Sequence, residues 1–82
     1  MDADRVEFTL ESCQNARHLL NWAQMTLARA AGVEVRVVID FERGRGQARS
    51  ETIDLIKGAL KAAGVEFTKE GPRLISESRL AA

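Results

Sequence analysis

Six arginines occupy the middle of the chain, at Arg17, Arg29, Arg36, Arg43, Arg45 and Arg49, with no lysine among them. A guanidinium presents a rigid fork of donors that matches a phosphate or the N7 and O6 edge of guanine. Residues 13–49 carry these six bases against three acids, a net +3. Residues 1–12 carry four acids and one base, and residues 50–82 carry five of each. The whole chain is neutral, so there is no global pull toward nucleic acid. On charge alone, the plainer reading of the arginines is a set of solvated helix faces.

Other reactive side chains are scarce. There is one cysteine, Cys13, and one histidine, His18. A single thiol forms no internal disulfide, and one Cys with one His falls short of a structural zinc site. The sequence offers no nucleophile–histidine pairing, and Gly44-Arg45-Gly46 is too short for a phosphate-binding loop. The expectation is therefore no enzyme, no cofactor and no metal. The start is acidic with no apolar run behind it, unlike a signal peptide. No stretch approaches the roughly 18 apolar residues of a membrane span. A reducing, cytoplasmic setting is expected, with no membrane contact.

The elements that must position these residues can be read from 82 residues of one domain. Thr9 reads as a helix N-cap with Glu11 in the first turn, and Leu10, Cys13, Ala16 and Leu20 recur at helical spacing. That predicts a helix over about 10–21, with Cys13 in the core and His18 on the polar side. A second, small-sided helix follows over about 24–31 through Leu27, Ala28, Ala30 and Ala31, and Gly32 stops it. Near the C-terminus Ser50 reads as a cap, with Glu51 and Asp54 at the positive end and Lys57 and Lys61 toward the negative end. Ile53, Ile56, Leu60 and Ala63 form the apolar stripe of that helix, and Gly64 ends it. Gly58 inside it costs up to about 1 kcal/mol against alanine. Residues 65–75 read as extended, with a turn at Glu70-Gly71-Pro72 and a short hairpin around it.

Residues 33–41 are ambiguous. Val33, Val35, Val37, Ile39 and Phe41 alternate with Glu34, Arg36, Val38 and Asp40, which is the pattern of a strand. Ala30-Ala31-Gly32-Val33-Glu34 also echoes Ala62-Ala63-Gly64-Val65-Glu66, as two helix–strand units would. A helix is equally consistent, with Val37, Val38 and Phe41 on one face and Arg36, Ile39, Asp40 and Arg43 on another. Propensity mildly favours the strand.

From Ala16 to Phe67 the sequence resembles the lambda-repressor-like helix-turn-helix regulators of the xenobiotic-response-element (XRE) type. The resemblance is carried by Ala16-Arg17-His18-Leu19-Leu20-Asn21-Trp22-Ala23-Gln24, Leu27-Ala28-Arg29-Ala30-Ala31-Gly32-Val33, Asp40-Phe41-Glu42-Arg43-Gly44 and Glu51-Thr52-Ile53. It closes with Ala59-Leu60-Lys61-Ala62-Ala63-Gly64-Val65-Glu66-Phe67. It implies an all-α bundle of about four helices with a short C-terminal extended segment or hairpin. It makes residues 34–42 the recognition helix, overriding propensity. Gly32 becomes the turn between the paired helices and Ala28 the small residue at their crossing. Val38 and Phe41 become buried anchors.

The same resemblance implies the site. Gln24 would bond a phosphate at the groove edge. Val35 and Arg36 would reach base edges in the major groove, and Asp40 would accept from a cytosine amino group or hold Arg36. Arg43, Arg45 and Arg49 would run along the backbone in a loop kept close by Gly44 and Gly46. The implied domains are an N-terminal arm over 1–8, a DNA-binding domain over 9–64 and an extended segment over 65–82 offering a dimer contact. The implied partners are double-stranded DNA and a second copy of the chain. The sequence departs from the family at Glu34, where serine or threonine is usual, and at Ala23, where a capping hydroxyl is missing. Val35 and Ile39 make the reading face apolar, which suits thymine methyls or a protein partner. The competing expectation is a protein-interaction module on the same fold, antiactivator- or antitoxin-like, that has lost DNA binding.

Overall fold

The computed structural model describes residues 8–45 and 48–75. Four helices are followed by a two-stranded antiparallel hairpin: α1 (Leu10–Leu20), α2 (Gln24–Ala31), α3 (Val35–Glu42), α4 (Ser50–Ala62), β1 (Val65–Thr68) and β2 (Gly71–Leu74). None of the helices among the described residues is long and apolar enough to cross a membrane.

Local chemistry sets the helix ends. At the start of α1 the Thr9 hydroxyl accepts from the Ser12 N–H, and the Ser12 hydroxyl accepts from the Thr9 N–H. This reciprocal pair satisfies two of the donors that a helix start leaves open. α1 and α2 end alike, on left-handed residues, Asn21 at φ 59° and Gly32 at φ 75°. The following N–H groups then reach back five residues, Trp22 to the Arg17 carbonyl and Val33 to the Ala28 carbonyl. Asparagine and glycine are the residues that tolerate this conformation best.

α4 departs from expectation at its start. Its N-cap is Arg49, with no capping side chain, and Ser50 is already the first helical residue. Ala23 caps α2, also without a side-chain bond, as its missing hydroxyl implied.

The ambiguous segment is helical. Val38 is fully buried, and Val35 and Phe41 pack against the same core. Val38 belongs to the even set of the strand pattern and Val35 and Phe41 to the odd set, so no alternating arrangement buries all three. A helix does, because positions three and four apart share a face. Packing thus outweighs the β-branched propensity.

The core gathers Cys13 and Ala16 from α1, Leu27, Ala28 and Ala31 from α2, Val38 from α3, Ile56 and Leu60 from α4, and Val65 from β1. Full burial of a side chain such as Leu27 or Ile56 is worth about 1.5–3 kcal/mol. Ile53 and Ala63 are only half-buried, so the working stripe of α4 is narrower than its sequence indicates. α2 packs on both α3 and α4, while α1 lies against α3 and β2. Ala28, at 2% exposure, is the small residue that lets α2 sit close. The hairpin turns at Lys69 and Glu70, one residue earlier than expected, and pairs Val65 with Leu74 and Phe67 with Pro72.

Candidate nucleic-acid interface

Glu42, the last residue of α3, is the one buried charged residue among the described residues, at 4% exposure. Its carboxylate collects donors from two other helices. Arg17 on α1 forks onto it, Nε to Oε2 at 2.9 Å and Nη2 to Oε1 at 2.8 Å. The Cys13 thiol donates to Oε2 at 3.0 Å, and Gln24 Nε2, at the start of α2, donates to Oε1 at 3.0 Å. Gln14 Nε2 donates to the Glu42 backbone carbonyl at 2.9 Å, and Arg17 Nη1 donates to the Trp22 carbonyl at 2.9 Å. Glu42 therefore ties α1, α2 and α3 together, and Arg17 extends the cluster to the α1–α2 connection.

The electrostatics follow from this geometry. Burial pushes the Glu42 carboxyl up, but hydrogen bonds from Arg17, Cys13 and Gln24 and the Arg17 charge outweigh it and hold it below the usual carboxylate value. The hydrogen bond to Glu42 raises the Arg17 guanidinium further, against the cost of its own burial. Burial, then the hydrogen bond to Glu42 and its negative charge, drive the Cys13 thiol well above its ordinary range. Cys13 is thus a core thiol, and it also supplies a hydrogen bond that its place on an apolar stripe did not announce.

On the far side of α3, Arg36, Asp40 and Arg43 follow one another at i, i+4 and i+7 and share a face. Arg36 and Arg43 are exposed and Asp40 is half-buried. The described residues include no Arg36–Asp40 ion pair, so the i,i+4 contact weighed for these two does not form. Val35 is half-buried and packs against the core, leaving Arg36 as the exposed member of the Val35–Arg36 pair. Ile39 is half-buried, and Glu34 is exposed just before the helix.

Arg45 and Arg49 are exposed and line a shallow cleft of about 220 Å³ between α3 and α4, with Asp40, Phe41 and Thr52 on its walls. The Arg45 N–H bonds the Asp40 carbonyl at 2.8 Å, which folds the chain back over the end of α3. Gly44 allows this at φ 74°, and a Cβ there would stand 3.5 Å from the Leu10 side chain. Gly46 lies outside the described residues.

Gln24 stands apart from the arginine group. It is half-buried and gives one amide hydrogen to Glu42, which leaves the second for another acceptor. Sequence reasoning named Gln24 but passed over Arg17 and Glu42 as a pair. One signal was present: Glu42 lies four residues after Val38 and seven after Val35, which puts a carboxylate on the apolar stripe of α3.

Comparison with protein-family models and with curated protein sequences finds no match to this chain.

Proposed function

We propose that this chain is a sequence-specific DNA-binding regulator of the lambda-repressor-like helix-turn-helix kind, with α3 as the helix that enters the major groove. The observation that carries this reading is the outer side of α3. Arg36 and Arg43 are exposed there, Arg45 and Arg49 are exposed along the adjoining cleft between α3 and α4, and none of the four forms an ion pair with another described residue. Unpaired arginines are the groups that phosphates and guanine edges recruit. The order α2, left-handed Gly32, α3, with Ala28 buried where α2 packs, supports the helix-turn-helix assignment.

In this reading Arg36 forks onto a guanine, while Arg43, Arg45 and Arg49 neutralise backbone phosphates. Gln24 adds a phosphate contact through its second amide hydrogen. The protein acts as a homodimer on half-sites about one helical turn apart. Fluorescence anisotropy with DNA fragments from its own locus tests the proposal. Affinity is expected to fall steeply as salt rises, because phosphate contacts release counterions. Salt-insensitive binding, or no binding to any fragment, sinks it.

A second reading is favoured by Glu34, an exposed carboxylate before α3 on the side a phosphate would approach. There the same fold is a protein-interaction module using Ile39 and the exposed rim of Val35. A partner recovered with the native chain, together with failure on DNA, would select it.

A further inference from the structure

The outer side of α4 is laid out symmetrically about Gly58. Residues seven apart on a helix lie within about 20° of each other, two turns along. Asp54 and Lys61 form one such pair on one side of Gly58, and Leu55 and Ala62 form another on its other side. The first pair runs from four residues before Gly58 to three after, and the second from three before to four after. All five residues are exposed, Leu55 at 51%.

The charges on this side are unspent. Neither Asp54 nor Lys61 forms an ion pair with another described residue. They stand about 10 Å apart along the helix, too far to meet each other. Lys57 is half-buried and lies about 60° further round than Asp54, away from Gly58, where it borders a groove with Lys61 and Glu66. The Glu66 carboxylate is bound to Arg73 at 3.1 Å. Arg49, at the N-cap, lines the cleft toward α3. Glu51 is exposed in the first turn, close to the line through Gly58.

This charge pattern selects what covers the face. A second α4 laid alongside in the same direction sets the Asp54–Lys61 flank against the Leu55–Ala62 flank and leaves both charges unmatched. Laid antiparallel about a two-fold axis at Gly58, like flanks meet. Asp54 of each copy then comes level with Lys61 of the other. Leu55 comes level with Ala62, where the small residues leave room for it. Glu51 falls near Lys61 of the other copy and about 20 Å from its Glu51.

We propose that two copies of the chain pair through α4, antiparallel across a two-fold axis at Gly58. Leu55 packing on Ala62 supplies the apolar contact, and the two Asp54–Lys61 pairs set the direction. This inference names the contact face of the homodimer in the DNA-binding reading and rests on that reading for the use of the dimer. One helix pair about 20 Å long is a small interface, so the dimer is in exchange with monomer.

Sedimentation velocity of the full chain without DNA, over a wide range of concentration, tests this. The native chain is expected to pass from monomer to dimer as concentration rises. Asp54→Lys and Lys61→Asp should each weaken self-association about tenfold or more, because each sets like charges opposite one another twice. An equimolar mixture of the two variants should dimerise again, since every Asp54–Lys61 position in the mixed pair then joins opposite charges. Recovery in the mixture also shows that both variants are folded. A native chain that stays monomeric overturns the proposal. So do single variants that associate like the native chain, or a mixture that fails to recover. Anisotropy on DNA is read separately. A chain that dimerises in this pattern and binds no DNA strikes the DNA-binding reading alone, and a chain that binds DNA while the charge variants leave its association unchanged strikes this interface alone.

Discussion

Arg17 and Glu42 meet across 25 residues of chain in a two-point fork, and that fork is the tightest polar contact between α1 and α3. The Arg17 side chain is 12% exposed and that of Glu42 2%. Removing one partner leaves the other charge buried with its desolvation unpaid. Glu42→Gln is expected to lower stability by about 3 kcal/mol, read from the midpoint of urea unfolding at neutral pH. A loss below about 0.5 kcal/mol, the scale of a solvated surface pair, would show that the fork contributes little.

The same carboxylate sets a pH dependence. Its folded pKa lies below the ordinary 4.5. A group depressed on folding stabilises the protein fully above its unfolded value and loses that contribution as pH falls through the folded one. Stability should therefore be flat in this respect near neutrality and decline below about pH 4.5. In Glu42→Gln the decline should be shallower. Parallel acid-unfolding curves for the two proteins would rule out Glu42 as a source of the slope.

Cys13 should be inert in the folded state. It is fully buried, and its thiol is held in the protonated form by burial and by Glu42. Since the thiolate is the reactive species, a colorimetric disulfide reagent should label it only as the fold opens. Labelling in buffer at the rate seen in denaturant would contradict both the burial and the bond to Glu42.

Gly58 is a removable weakness. It is exposed within α4, and a Cβ placed on it meets nothing within 4 Å. Packing therefore does not require the glycine, and its helical conformation suits alanine. Gly58→Ala should stabilise by about 0.5–1 kcal/mol, raising Tm by several degrees in a calorimetric scan. A lower Tm would point to a contact made by residues outside those described.

If α3 reads DNA, its arginines should separate by role. Arg36→Ala should cost about 1–3 kcal/mol of discrimination at one base position per half-site. Arg45→Ala or Arg49→Ala should weaken binding to all sequences alike and reduce the salt slope by about one. Competition titrations against single-base operator variants distinguish the two patterns. Equal behaviour of all three substitutions would argue that Arg36 also only neutralises phosphate.

The sequence made some of this visible and hid the rest for physical reasons. Thr9, Gly32 and the spacing of Leu27, Ile56 and Leu60 are local signals, and the helices they imply are present almost to the residue. The state of 33–41 was not local. Its alternation is that of a strand, and only burial of Val38 together with Val35 and Phe41 makes it a helix. The Glu42 cluster was hidden for a related reason. Cys13, Arg17 and Gln24 donate to its carboxylate and Gln14 to its backbone carbonyl, and no short-range pattern links residues 18–29 positions away to one glutamate. The exposed arginines were legible individually, but their placement around α3 depended on knowing that α3 is a helix.

The position of Glu42 has a mechanical consequence. α3 is clamped at its final residue, through both side chain and backbone, whereas Arg36 sits a turn and a half toward the opposite end. Val38 is buried at mid-helix and Val35 packs on the core near the tip, so the root at Glu42 completes a mounting that holds α3 along its inner side. Adjustment of Arg36 to a target then falls to its own exposed side chain. A single residue inserted between Arg36 and Glu42 would be far less forgiving, because it would swing the tip by about 100° around the axis while the root stayed fixed.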